Sequence, residues 1–98
     1  MSQGTAKVPI SCAVANNGEG IYNSQPCTVY SLQASSTNGN AINVTMTPTS
    51  GAFISLNQLT VPATGSVPLY VYVPTSLQGS VNVTASSGGY ENNVIPVC

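Results

Sequence analysis

Hydrophobic and polar residues alternate most cleanly between Phe53 and Ser87. Val67, Leu69, Val71 and Val73 share one phase, and Ser66, Pro68, Tyr70 and Tyr72 share the other. Side chains along a strand point to opposite faces with a period of two, so this segment predicts a strand with one buried and one wetter face. Ser80 to Ser87 repeats the pattern, with Val81, Val83 and Ala85 inward. Between Phe53 and Val61 the phase of Ile54 and Leu56 is interrupted at Asn57-Gln58 and restarts at Leu59 and Val61, which predicts one bent or bulged strand. Pro and Gly punctuate the intervals, at Pro62 and Gly65 and again at Pro74 and Gly79.

Upstream, residues 1–5 read as a flexible tail. Lys7 to Ala15 alternates, with Val8, Ile10, Cys12 and Val14 in phase, and Pro9 places this strand at a sheet edge. Asn16 to Pro26 is rich in Asn and Gly and reads as a loop. Cys27 to Ser35 predicts a second strand with Tyr30, Leu32 and Ala34 inward, and Ala41 to Thr47 a third with Ile42, Val44 and Met46 inward. Asn38-Gly39 between them is a strong hairpin signal. A last strand spans Asn92 to Cys98.

Seven short, evenly spaced strands and no helical periodicity predict one all-β domain over residues 6–98, a seven-stranded immunoglobulin-like β-sandwich. A small closed barrel is the alternative. The Asn-Gly turn pulls against the sandwich, since it pairs strands two and three where an immunoglobulin-like chain crosses between sheets. The predicted core is Val8, Ile10, Tyr30, Leu32, Val44, Met46, Ile54, Leu56, Leu69, Val71, Val81 and Val83.

The run LTVPATGSVPLYVYVP, followed by GSVNVTASSGG, resembles the immunoglobulin-like repeats of bacterial and archaeal surface proteins. The resemblance covers roughly residues 28–98 and rests on alternation and turn residues. It implies a sandwich used for display, adhesion or assembly, and it transfers no functional residue.

Composition changes the picture most through charge. Only 3% of residues are charged, against about 25% in an ordinary domain, and Lys7, Glu19 and Glu91 are all of them. His, Asp and Arg are absent. A Ser-His-Asp or Cys-His site therefore has no base. A carboxylate pair for glycoside hydrolysis would have to be Glu19 and Glu91, which nothing in the sequence brings together. Three separated Cys without His do not complete a structural zinc site. One Lys cannot neutralise a phosphate backbone, which argues against nucleic acid as a partner. The reading is a non-enzymatic protein without cofactor or metal. No stretch is long and apolar enough for a membrane-spanning helix. The first residues show no apolar signal-peptide run, so an extracellular chain of this kind has lost its signal or needs none.

Four sets of residues remain as candidates. Cys12 and Cys27 are the expected disulfide, with Cys27–Cys98 as the competing pair. Asn43-Val-Thr45 and Asn82-Val-Thr84 match the N-glycosylation pattern, no more often than chance supplies in a chain with 10 Asn and 23 Ser plus Thr. Tyr70 and Tyr72 share the outer face of one strand, where they can cover an interface or stack on sugar rings. Lys7, Val8, Ile10 and Val14 mark an edge strand with few guarding charges, suited to strand exchange of residues 5–14 about the following loop. Together these predict a self-associating structural subunit of an extracellular filament, virion or cell surface. The alternative is a carbohydrate-binding or adhesion module with glycans as partners.

Overall fold

The computed structural model describes residues 6–77 and 79–97. The expected tail and the last cysteine, Cys98, lie outside the described residues. Eight strands follow in order: β1 (Ile10–Tyr22), β2 (Gln25–Ser36), β3 (Ile42–Pro48), β4 (Phe53–Ile54), β5 (Gln58–Val61), β6 (Ser66–Pro74), β7 (Asn82–Ser86) and β8 (Asn93–Pro96). A single 3-10 turn, Thr75–Leu77, joins β6 to β7. The strands form two antiparallel sheets, β1-β2-β6-β4 and β5-β3-β7-β8, packed face to face.

The core is the sum of the two inward phases. Leu32, Leu69, Val71 and Val73 come from the first sheet, and Met46, Val61, Val81, Val83 and Ala85 contribute from the second. All are essentially sealed from solvent. Tyr30 joins them from β2 and Val44 from β3, as the alternation predicts. Two expected core residues depart. Ile54 is only partly buried, because it ends a two-residue strand at the sheet edge. Leu56 is exposed, since it lies where the chain leaves the first sheet for the second.

That crossing corrects the reading of Phe53 to Val61. The break at Asn57-Gln58 is not a bulge within one strand. Phe53 and Ile54 pair with Tyr72 and Val71 in one sheet, whereas Gln58 to Val61 pair with Thr45 to Ile42 in the other. One expected strand is thus two, which brings the count to eight.

The Asn38-Gly39 signal is also read differently by the fold. It makes a turn, with Gly39 at φ 77° and the Asn38 Oδ1 accepting from the Asn40 amide. The strands it joins, β2 and β3, nevertheless lie in different sheets. An Asn-Gly turn supplies the positive φ a hairpin needs, but pairing depends on which faces must be buried.

Asn16 to Pro26 departs most from its expected structure. It is not a loop. β1 and β2 form one long hairpin that runs in register from Ile10↔Ser36 to Tyr22↔Gln25. Its two-residue turn is Asn23-Ser24, both at positive φ (53° and 63°), the geometry of a mirror-image hairpin turn. One extra residue enters β1 between Asn16 and Glu19. Gly18 takes φ 91° there, and its amide donates to the Asn16 side-chain oxygen at 2.8 Å, which stabilises a bulge.

The two sheets are tied together at the start of the described chain. Lys7 and Glu91 form an isolated parallel bridge: the Val8 amide donates to the Glu91 carbonyl and the Glu91 amide to the Ala6 carbonyl, each at 3.0 Å. Pro9 then redirects the chain into β1. The Asn93 amide nitrogen donates to the carbonyls of Val8 (3.3 Å) and Ile10 (3.5 Å), spanning this corner.

Candidate functional site

Each sheet ends in two edge strands, and they differ in length and cover. β4 offers two residues and β5 four. β8 offers four, ends at Pro96, and has the segment around Lys7 beside its start. β1 offers thirteen, with no neighbour on its outer side among the described residues. Its first seven residues, Ile10 to Asn16, carry neither charge nor Pro. Sheet edges of this length are usually blunted by Lys, Pro or a bulge. Here the bulge at Asn16–Glu19 and the single charge of Glu19 protect only the far half.

The faces of β1 explain its exposure. Ile10, Cys12, Val14 and Asn16 lie opposite Ser36, Ala34, Leu32 and Tyr30 and so share the core-facing side of the sheet. Ile10 is buried and Cys12 packs against the core, yet Val14 is 38% exposed and Asn16 is open. The second sheet does not extend under this part of β1. Past the bulge, Ile21 is 79% exposed. Ser11, Ala13 and Ala15 lie on the opposite, outer face and are small and exposed.

Of the residues expected at an interface, Lys7 and Val14 are exposed, whereas Val8 and Ile10 are core residues of their own molecule. Their apolar faces are already occupied. The hinge expected for strand exchange, Asn16 to Pro26, is itself largely strand and offers no flexible loop on which residues 6–14 could leave.

Tyr70 and Tyr72 do share the outer face of the first sheet, but their environments diverge. Tyr72 is paired across strands with Phe53 and stacks against Tyr22, with ring centroids 4.6 Å apart and planes at 14°. Tyr22 also contacts Phe53 at 4.7 Å in a tilted arrangement. One face of Tyr72 is therefore taken, and the cluster fastens the end of the hairpin to β6 and β4. Tyr70 stands apart and exposed. Alternation does not place Tyr22, because its contact partners Phe53 and Tyr72 are distant in the chain and its neighbours read as loop.

Cys12 and Cys27 are free thiols, which overturns the expected disulfide. The register gives the reason. Cys12 lies opposite Ala34, seven residues along β2 from Cys27, a separation on the order of 20 Å. A disulfide requires Cα atoms within about 7 Å. Burial pushes the Cys12 thiol up from 9.0 to about 11. Cys27 is fully buried, on the outer-face phase and outside the central core. The competing partner Cys98 lies outside the described residues.

Asn43 and Asn82 are both exposed on the outer face of the second sheet. Asn43 is the more engaged. Its side-chain oxygen accepts from the Thr60 hydroxyl at 2.6 Å and its carbonyl from the Ser87 hydroxyl at 2.7 Å. It lines an open cleft of about 640 Å³ together with Thr45, Gln58, Thr60, Ser86 and Ser87. The polar groups there are all neutral amides and hydroxyls. Asn82 instead meets Thr49, whose hydroxyl accepts from the Asn82 amide at 3.0 Å.

Glu19 and Glu91 are not brought together. Glu91 sits beside Val8 where β1 begins, and Glu19 lies nine residues along that strand from Ile10, on the order of 25–30 Å. Among the described residues no group of three or more His, Cys, Asp or Glu is placed to hold a metal. Among the described residues no helix is long and apolar enough to cross a membrane. Comparison of the chain with family models, with curated proteins and with solved structures finds no match.

Proposed function

We propose that this protein is a non-enzymatic structural subunit that assembles through edge strands, as part of an extracellular filament, virion or cell surface. The observation that carries the reading is the β1 edge: seven uncharged, proline-free residues with no neighbour among the described residues. Strand addition there gives main-chain hydrogen bonds, with side chains supplying register. The formal net charge of −1 leaves little repulsion between copies. The extracellular setting rests on the uncharged polar surface alone, because the two described cysteines are thiols.

An immunoglobulin-like sandwich is part of the proposal. The neighbour relations β1-β2-β6-β4 and β5-β3-β7-β8 parallel the strand order A-B-E-D and C′-C-F-G of that architecture. The departure is β4, which occupies the D-like place yet precedes β5 in the chain. In this reading a copy adds to β1 and β1 stays in its own sheet.

Sedimentation velocity over a wide concentration range, with electron microscopy of the same samples, tests the proposal. Ordered assemblies support it, and a strict monomer at high concentration contradicts it. A glycan-binding module is the second reading, favoured by the neutral amide and hydroxyl lining of the Asn43 cleft. It predicts a monomer that binds neutral oligosaccharides and loses them on Gln58→Ala.

A further inference from the structure

We infer that Ile10–Asn16 of β1 pairs antiparallel with the same segment of a second copy, across a two-fold axis at Ala13. This rests on the edge-strand reading above and specifies the partner and register of one contact; a two-fold pair closes on itself, so a larger assembly adds a second contact to this pair.

The choice of edge follows from the lengths. A two-residue β4 and four-residue β5 and β8 offer few main-chain groups, and β8 is partly flanked by the Lys7 segment. Among the described residues only β1 presents a long run. That run has natural limits. At one end the Ile10 amide already donates to the Val8 carbonyl at 2.8 Å, and at the other the Gly18 amide is bound to Asn16 within the bulge. Seven residues, Ile10 to Asn16, lie between these limits.

Using all seven residues in a self-paired antiparallel ladder fixes the register. Ile10 then faces Asn16 of the second copy, Ser11 faces Ala15, Cys12 faces Val14, and Ala13 faces itself. This register also keeps like faces together. Directly opposed side chains in a ladder share a face, so Val14 meets Cys12 of the second copy on the core-facing side. That contact covers the apolar surface the second sheet leaves open at Val14. On the outer face Ser11, Ala13 and Ala15 are small enough for close approach. A register shifted by one residue would bring the core-facing phase of one copy against the outer phase of the other, and Val14 would gain no apolar partner. A shift by two keeps the faces but forfeits part of the ladder against the Val8–Ile10 hydrogen bond or the bulge.

A two-fold axis at Ala13 means that a charge introduced there faces its own copy. Ala13 is exposed on the outer face, so a longer side chain does not enter the core. The experiment compares wild type, Ala13→Lys and Ala13→Glu at low salt by sedimentation velocity, singly and as a one-to-one mixture. Matching thermal midpoints of the three proteins, taken at a concentration where wild type is monomeric, establish that each is folded. Wild type is expected to double in mass with rising concentration. Each variant alone is expected to self-associate at least about tenfold more weakly, since like charges at an interface are strongly unfavourable. The mixture is expected to recover association as a mixed pair, and to lose it again with added salt. If either variant alone associates as wild type does, or if the mixture recovers nothing, the Ala13 axis is wrong, and the wider edge-strand reading survives wherever wild type still assembles. If wild type is monomeric throughout, the edge-strand reading falls and this inference with it.

Discussion

Tyr22 stacks on Tyr72 with ring centroids 4.6 Å apart and planes at 14°. The two residues are fifty positions apart in the chain, and their contact joins the tip of the β1–β2 hairpin to the third strand of its sheet. Phe53 completes the cluster from the β4 edge. Three strands are thus clasped on the outer face, away from the core. This is the arrangement that keeps an Asn- and Gly-rich segment in extended pairing with β2.

Tyr22→Ala should therefore loosen the hairpin tip and spare the sandwich. Aromatic pairs contribute roughly 0.5–1.5 kcal/mol beyond their buried area. The expected loss is about 1–2 kcal/mol in a denaturant titration, because Tyr22 is itself partly exposed. Amide exchange should accelerate across 19–27 and stay slow in β6. Equal acceleration in both would mean that the tip and the core unfold as one unit.

Val71→Ala tests the core directly. Val71 is fully buried, with Tyr30 and Ile54 as its cross-strand neighbours. Lost burial and the resulting cavity should cost on the order of 1–3 kcal/mol. A cost near zero would place the wrong face of β6 inward.

Gly51→Ala should destabilise through the backbone and through a clash. Gly51 has φ 97°, and a Cβ there would lie 2.7 Å from Leu77 Cδ1. A residue with a Cβ is strained at this φ, with an expected loss of about 1 kcal/mol or more. The paired change Gly51→Ala with Leu77→Ala should recover only the part due to the clash.

Stability should be nearly flat in acid and fall in alkali. Glu19 and Glu91 are exposed, and there is no Asp or His to titrate. The melting midpoint should shift by no more than about 5 °C between pH 7 and pH 3. Above neutrality the sign reverses through Cys12. Its thiol is held at about 11 when folded against 9.0 unfolded. The unfolded chain releases this proton first, so the contribution is intact below pH 9.0 and declines as pH rises toward about 11. Alkylation with peptide mapping at pH 7 should modify Cys12 slowly and Cys27 only on unfolding. A Cys12–Cys27 peptide found without reduction would contradict the β1–β2 register.

The strands with a clean phase were legible in the sequence, and the hairpin was not. Val44 and Met46, Leu69 and Val71, and Val81 and Val83 all lie inward because both sheets cover them. β1 has one edge on β2 and little beneath it, so neither phase needs to be apolar, and Asn16, Asn17 and Glu19 are tolerated in strand. Its turn uses Asn23 and Ser24 without Gly, whereas the recognisable Asn38-Gly39 pair serves a crossing between sheets. The break at Asn57-Gln58 was visible, but alternation alone cannot separate a bulge from a change of sheet. The exposed edge was expected at Lys7 to Val14. The fold moves it along β1, since Val8 and Ile10 are spent on the core.

The most direct test of the account is amide hydrogen exchange of the intact protein measured across concentration. An edge strand that acquires a neighbour gains protection on its outward-facing amides. Protection is expected to rise with concentration within Ile10–Asn16 and to stay constant in β3, β5 and β7. Assembly with unchanged exchange in that segment would contradict it, as would rising protection confined to β5 or β8.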